Sequence, residues 1–201
     1  MMDPLDIAIE KTIKYGRFFG AEYGPEQIKQ RLISDNKFSD KEIDLRLIGI
    51  KQSKLRDYGK IEIAKDTAMQ LSRYFKDILL IGITGSVAAG YPNKDDDIDL
   101  MIVTKKDRLW LTRLALRIFV ILKHIPHRKY GREEARDEFC FNLWLEEDSL
   151  KLPANRQTLR NAMDAMLMIP VVNKENIYQK FMKENNWIKR YLINSYVKNT
   201  K

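Results

Sequence analysis

The chain of 201 residues has a formal net charge of +8; 44% of its residues are hydrophobic and 32% are charged. This length and balance suit a soluble globular protein of one mixed domain, or one domain with a small appendage. The single cysteine, Cys140, excludes a disulfide framework within the chain and is typical of the reducing cytosol, so we expect a cytoplasmic protein.

The positive charge is distributed unevenly. Between Lys151 and Lys201, ten lysines and arginines stand against three acidic residues. A second basic cluster lies before the third predicted strand and consists of His127, Arg128, Lys129, Arg132 and Arg136. Polyphosphate substrates or RNA would be attracted to such surfaces, although the same charge also serves solubility alone.

The first 50 residues predict a helical region. Residues 1–6 include two acids and no basic segment, so no signal peptide is expected. Ser39 and Glu42 have the spacing of a capping box, which predicts a helix that begins after Ser39. Three short helices of this kind resemble a helix-turn-helix module. Because acidic and basic residues balance between positions 37 and 49, DNA binding is not expected.

The rest of the chain alternates between predicted helices and strands. The segment Leu109–Leu122 is apolar, but it has only 14 residues and contains two arginines, so it predicts a buried helix rather than a membrane span. No membrane association is expected. The predicted helices are 51–76, 109–122, 156–168 and 174–196, and the predicted strands are 78–84, 98–104 and 139–145. We therefore predict an α/β fold in which helices flank a small mixed sheet.

Two short motifs join the first two predicted strands. Gly85-Ser86 follows the first strand, and Asp97-Ile98-Asp99 opens the second. Because strand side chains alternate between faces, Asp97 and Asp99 lie side by side, opposite the apolar face. Two adjacent carboxylates repel each other unless a cation lies between them, and hard oxygen ligands favour Mg²⁺ or Mn²⁺. Asp95 and Asp96, by contrast, fit a solvated turn.

This arrangement resembles the signature of the polymerase-beta-like nucleotidyltransferase superfamily in its small, minimal form. The resemblance covers roughly residues 50–200, and its specific part is Gly85 to Leu100. It implies a nucleotidyltransferase-like fold and transfer of a nucleoside monophosphate from a triphosphate with two magnesium ions. It also implies that Gly85 and Ser86 bind the triphosphate and that Asp97 and Asp99 bind the metals. A glycine allows the backbone to approach a phosphate, and a serine hydroxyl adds a donor.

Members of this superfamily carry a third carboxylate on the strand that follows the helix. Here that position falls on Asn142, which we expect to complete the catalytic set with Asp97 and Asp99. The acids of the same parity, Glu138 and Glu146, are four residues away, or about 13 Å along a strand. An amide oxygen can bind Mg²⁺ but cannot act as a base, so the second metal should bind more weakly.

Three basic residues are further candidates for nucleotide binding. Lys94 lies in the loop between the two motifs, and Arg113 and Arg117 are four residues apart on one predicted helix face. No base is predicted beside Cys140, so a nucleophilic role for that thiol is not expected.

From these residues and the resemblance, we predict a Mg²⁺-dependent nucleotidyltransferase whose hydroxyl acceptor could be a small molecule, a protein or an RNA end. Two alternatives remain: a catalytically weak nucleotide-binding or regulatory protein of the same fold, and an RNA-binding module that uses the basic C-terminal part. The expected organisation is a helical region at 1–50, a nucleotidyltransferase core at 51–153 and C-terminal helices at 154–201 that pack on the core.

Overall fold

The structure is a computed structural model that describes residues 2–128 and 136–199. These residues form two compact units, the first made of residues 2–55, 152–166 and 185–199 and the second of the remainder. The helices in the described ranges are α1 (Pro4–Phe18), α2 (Pro25–Gln30), α3 (Asp40–Arg46), α4 (Lys60–Tyr74), α5 (Gly85–Ala89), α6 (Leu109–Leu122), α7 (Leu159–Leu167), α8 (Ile177–Glu184) and α9 (Lys189–Asn199). The strands are β1 (Ile78–Ile83), β2 (Ile98–Thr104), β3 (Phe139–Glu146) and β4 (Ile169–Asn173). No helix in these ranges has the length and apolar character needed to cross a bilayer.

The first unit is helical and has its own core. Helices α1 to α3 bury apolar side chains such as Leu5, Ile28 and Ile43 against one another. The predicted capping box is confirmed, because Ser39 Oγ accepts from the Glu42 N–H at 3.2 Å and Glu42 Oε2 accepts from the Ser39 N–H at 2.8 Å. This reciprocal pairing fixes the start of α3.

The second unit contains the sheet, and the predicted class of a small mixed sheet flanked by helices is confirmed. Within the described residues the strand order is β3-β2-β1-β4. Strand β1 is antiparallel to β2 and β4, whereas β2 and β3 are parallel. The apolar face of β2, formed by Ile98, Leu100 and Ile102, packs in the main core together with α4 and α6.

Three details of the predicted elements are wrong. The helix expected from residue 51 begins only at Lys60, because its N-cap Gly59 has a left-handed backbone conformation (φ +74°). The single helix expected at 174–196 is divided into α8, a short 3₁₀ turn at Asn186–Ile188, and α9. In addition, residues Ile169–Asn173 form the strand β4, where the sequence predicts a break at Pro170. Since β4 is an edge strand, it tolerates a proline that donates no hydrogen bond.

Helix α6 has the predicted limits but is not a buried helix. Its inward stripe, which includes Thr112, Leu116 and Val120, is buried. Its outward side is also apolar and exposed, and the residues concerned are Trp110, Leu111, Leu114, Ile118, Ile121 and Leu122. A sheet covers only one stripe of a helix that packs on it, so the burial expected from the mostly apolar sequence of α6 was too high.

Candidate functional site

Three chain segments meet at one end of the sheet. The parallel strands β2 and β3 both begin there, and the antiparallel β1 ends there, since Ile83 pairs with Leu100. The Thr84 N–H donates to the Asp99 carbonyl at 2.9 Å, which extends this pairing to the residue before Gly85. The topology therefore brings the Gly85-Ser86 turn and the two aspartates together.

The two carboxylates differ in exposure and in partners. Asp97 is only 6% exposed, and its Oδ2 accepts from Arg128 Nη1 at 3.3 Å. Asp99 is half-buried, and its Oδ1 accepts from Asn142 Nδ2 at 3.2 Å. One cation and one amide thus partly compensate two adjacent negative charges.

Gly85 is required where it stands for two reasons. Its φ of +67° is a left-handed conformation that favours glycine, and a side-chain Cβ at this position would overlap Asp99 Oδ2. Gly85 therefore leaves open the space in front of the carboxylate of Asp99.

Ser86, the other member of the turn, is held towards the loop that precedes β2. Its hydroxyl donates to Asp96 Oδ2 at 2.7 Å, and the same oxygen accepts from the Asn93 N–H at 2.9 Å. Asp96 therefore closes the turn predicted at this position and fixes the loop segment that precedes Asp97.

Cys140 is a member of the site that the sequence analysis did not assign. It is the register partner of Asp99, and ligand atoms of Asp97, Asp99 and Cys140 lie within 4.8 Å of one another. Burial, followed by the charges of Asp99 and Asp97, raises the pKa of the Cys140 thiol to about 12. Such a thiol is protonated at neutral pH, which argues against a role as nucleophile.

Asn142 reaches the site through an irregularity in β3. Leu100 pairs with Phe141 and Met101 pairs with Leu143, so Asn142 is an extra residue that has no opposite partner on β2. This bulge places Cys140 and Asn142 together beside Asp99, with Cys140 directly opposite it.

Arg128 and Lys60 are two further basic residues near the site, and neither was assigned a role from the sequence. Arg128 lies beside Asp97 because its backbone N–H donates at 2.9 Å to the carbonyl of Phe139, the first residue of β3. Lys60 is fully buried, and its Nζ donates to the Asp96 carbonyl at 2.8 Å and to Asp137 Oδ1 at 2.7 Å. The sequence shows only that both residues are positively charged. Their contacts with Asp97 and Asp137 join positions that are far apart in the chain.

The remaining predicted residues lie in different settings. Lys94 is exposed in the turn between the two motifs. Arg113 is exposed on α6, where its guanidinium stacks over Trp110 and Trp144, and Arg117 is exposed one turn further along. Two members of the basic cluster, Lys129 and Arg132, lie outside the described residues.

The donor atoms present fit a divalent cation. Two carboxylates and a thiol point into one small space, and the absent side chain of Gly85 leaves room beside Asp99. A cation there would relieve the repulsion between the carboxylates.

Comparisons with known proteins bear on the same region. The family model described as "Nucleotidyltransferase domain" matches residues 64–193, a range that includes the whole sheet, the Gly85-Ser86 turn and both aspartates. Among solved structures, the chain is similar to one described as "Crystal structure of the toxin-antitoxin with AMP-PNP". The two are 12% identical, with a TM-score of 0.33, and the match covers 59% of this chain and 84% of that chain. The comparison with curated proteins found no match.

Proposed function

The chain belongs to the nucleotidyltransferase domain family, and on that premise we propose that it transfers a nucleoside monophosphate from a nucleoside triphosphate to a hydroxyl acceptor. The observation that carries this proposal is the convergence of Asp97 and Asp99 with the Gly85-Ser86 turn at one end of the sheet. The acceptor is a hydroxyl group of a small molecule, a protein or an RNA.

In this proposal, Asp97 and Asp99 hold a divalent metal, Mg²⁺ or Mn²⁺, and orient the α-phosphate for in-line attack. When bound, the metal supplies charge neutralisation at the phosphates and lowers the pKa of the attacking hydroxyl. The near-complete burial of Asp97 supports this role, because a charge–charge interaction is stronger where water is excluded.

The Gly85-Ser86 turn binds the triphosphate in this proposal. Without a Cβ at Gly85, phosphate oxygens can approach the backbone N–H groups, and the Ser86 hydroxyl can turn from Asp96 to donate to the substrate. Arg128 contacts Asp97, and its guanidinium could also bind a phosphate beside that carboxylate. Lys94 contributes from the neighbouring turn. Arg113 and Arg117 take no part in this proposal, because α6 packs on the face of the sheet opposite to Asp99 and Arg113 stacks over Trp144 there.

Asn142 is proposed to hold Asp99 in place rather than to act as a base, since it donates its amide to that carboxylate. An amide in place of the third carboxylate favours a second candidate function, in which the protein binds nucleotide but transfers it weakly. The two described β3 residues beside Asp99 are Cys140 and Asn142, and neither provides the third carboxylate.

The test is a calorimetric titration of ATP, CTP, GTP and UTP into the protein, with Mg²⁺ and with a chelator. We expect one triphosphate to bind in a Mg²⁺-dependent manner, and we expect the Asp97→Ala/Asp99→Ala variant to lose that binding. Asp95→Ala is the matched control, because it removes an exposed carboxylate from the same turn. Metal-independent binding, or binding that survives in the double variant, would overturn the proposal.

Pyrophosphate release separates transfer from binding alone. A transferase releases pyrophosphate once its acceptor is supplied, whereas the weakly catalytic alternative binds triphosphate and releases none. Binding to RNA through the basic C-terminal residues would instead fall steeply with salt and would not need Asp97 or Asp99.

A further inference from the structure

The two carboxylates of the site are accompanied by a sulfur atom. Cys140 Sγ and carboxylate oxygens of Asp97 and Asp99 lie within 4.8 Å of one another. Ligands of one tetrahedral ion with bonds of about 2.1 Å to oxygen and 2.3 Å to sulfur are about 3.6 Å apart. Small rotations of three side chains would therefore bring all three donor atoms onto a single ion.

The strand register favours Cys140 over Asn142 as the third donor. Cys140 is paired directly with Asp99 on the neighbouring parallel strand, so their side chains leave the sheet on the same face. Asn142 occupies the bulge and turns its amide NH₂ group, a hydrogen-bond donor, towards Asp99. Asn142 thus orients a carboxylate, while Cys140 completes the donor set.

A thiolate changes which ion such a site prefers. Mg²⁺ favours an octahedral shell of hard oxygen atoms, whereas Zn²⁺ and Co²⁺ accept mixed sets of sulfur and oxygen ligands. Two carboxylates and one thiolate would leave a position for water or substrate in a four-coordinate ion, which is the pattern of an open metal site.

We propose that Cys140 is the third metal ligand of the site and that its sulfur increases the preference of the site for Zn²⁺ over Mg²⁺. This inference rests on the proposed function, because it takes Asp97 and Asp99 to be metal ligands. The consequence is that zinc ions compete with magnesium ions for the same carboxylates, and Cys140 increases the advantage of zinc.

The test uses Co²⁺ as a spectroscopic substitute for Zn²⁺ in the reduced 201-residue chain. Because Cys140 is the only cysteine of the chain, a thiolate-to-cobalt charge-transfer band can arise from this residue alone. We expect the band in the wild type and in Asn142→Ala, and we expect Cys140→Ser to lose it. In a competition titration, Cys140→Ser should weaken Zn²⁺ affinity by about 10- to 100-fold or more, since even an indirect partner of a metal ligand has an effect of that size. Its affinity for Mg²⁺ should change little.

The outcomes separate this inference from the proposed function. If Co²⁺ binds without a thiolate band, and Asp97→Asn/Asp99→Asn abolishes the binding, Cys140 is not a ligand but the carboxylate site stands. If the band persists in Asp97→Asn/Asp99→Asn, the thiol binds metal apart from the carboxylates, which overturns the inference. If neither Co²⁺ nor Zn²⁺ binds to the wild type, both the inference and the proposed metal site fail.

Discussion

The ammonium group of Lys60, whose side chain has no exposed surface, donates to Asp137 Oδ1 at 2.7 Å. The same ammonium donates to the carbonyl of Asp96, the residue that precedes Asp97. Asp137 lies two residues before the start of β3, so one buried charge links the beginnings of both strands that carry the site.

Replacing Lys60 with methionine should therefore destabilise the protein. The variant keeps the apolar stem but removes two hydrogen bonds from a charged donor, so we expect a loss of about 2–3 kcal/mol in the free energy of unfolding. Denaturant unfolding at neutral pH measures it. Lys65→Met is the control, since Lys65 pairs with Glu62 at the surface, and it should unfold close to the wild type. An unchanged Lys60→Met midpoint would contradict the assigned role.

The Lys60–Asp137 contact should also depend on pH. Burial raises the pKa of Asp137, but hydrogen bonds and charge from Lys60 and Arg136 outweigh it, so the net pKa lies below the ordinary 3.8. An acid with a lowered pKa contributes stability above its unfolded pKa and loses it as the pH falls through the folded one. The stability difference between wild type and Lys60→Met should therefore shrink as the pH falls below about 4.

Gly85→Ala should abolish nucleotide binding, and the small loss of stability that it causes should not account for this effect. The new Cβ would overlap Asp99 Oδ2 and displace the carboxylate. Gly20→Ala is the control, because Gly20 has a similar backbone conformation (φ +69°) but a Cβ added there would meet no atom within 4 Å beyond its chain neighbours. Each substitution should cost on the order of 1 kcal/mol in backbone strain. Only Gly85→Ala should lose metal-dependent triphosphate binding in calorimetry. Equal affinities in the two variants would contradict this account of Gly85.

Asp164, in the helical unit, should make the protein less stable at neutral pH than in mild acid. Burial raises its pKa from 3.8 to about 6, with Arg160 acting in the opposite direction. The folded state thus retains the proton between pH 4 and 6 while the unfolded state loses it, so stability falls as the pH rises through this window.

Asp164→Asn should remove this pH dependence, because the amide does not ionise. Relative to the wild type, its free energy of unfolding should rise between pH 4 and 6 and then level off, a total change of about 1–3 kcal/mol. Urea unfolding curves across this range measure it. If the free energies of unfolding of the two proteins differed by the same amount at every pH in this range, Asp164 would not titrate as described.

Arg128→Gln should strengthen metal binding. The guanidinium contacts Asp97 and lies beside the proposed metal position, so its charge opposes a cation there. Because Arg128 is about one-third exposed, solvent screens this repulsion, and we expect a gain of at most about 1 kcal/mol, or about fivefold. A Mn²⁺ titration followed by electron paramagnetic resonance measures it. Arg136→Gln, which removes a charge that pairs with Asp137, is the control, and weaker binding in Arg128→Gln would contradict the argument.

Much of the fold could be predicted from local patterns. The limits of β2 and α6 match the structure because each is a predominantly apolar run bounded by polar residues. The resemblance to nucleotidyltransferases is confirmed by the family match. Strand β4 was missed because its edge position, which makes Pro170 acceptable, depends on pairing with the distant β1.

Only part of the site could be predicted from the sequence. Alternation along β2 is a local rule, so the juxtaposition of Asp97 and Asp99 could be stated. The position of Cys140 opposite Asp99 depends on the register between β2 and β3, and the contact of Asn142 with Asp99 depends on the bulge that follows. Such a register is fixed by packing between strands that are far apart in the chain, which the sequence of either strand does not specify.

The most direct test of the central claim is the position of the metal and the triphosphate in a crystal of the protein with Mn²⁺ and a non-hydrolysable nucleoside triphosphate. We predict an anomalous Mn²⁺ peak at bonding distance, about 2.0–2.3 Å, from carboxylate oxygens of both Asp97 and Asp99. The triphosphate should lie against the Gly85-Ser86 turn. A metal bound away from these carboxylates, or a nucleotide bound on the basic C-terminal residues instead, would contradict the account.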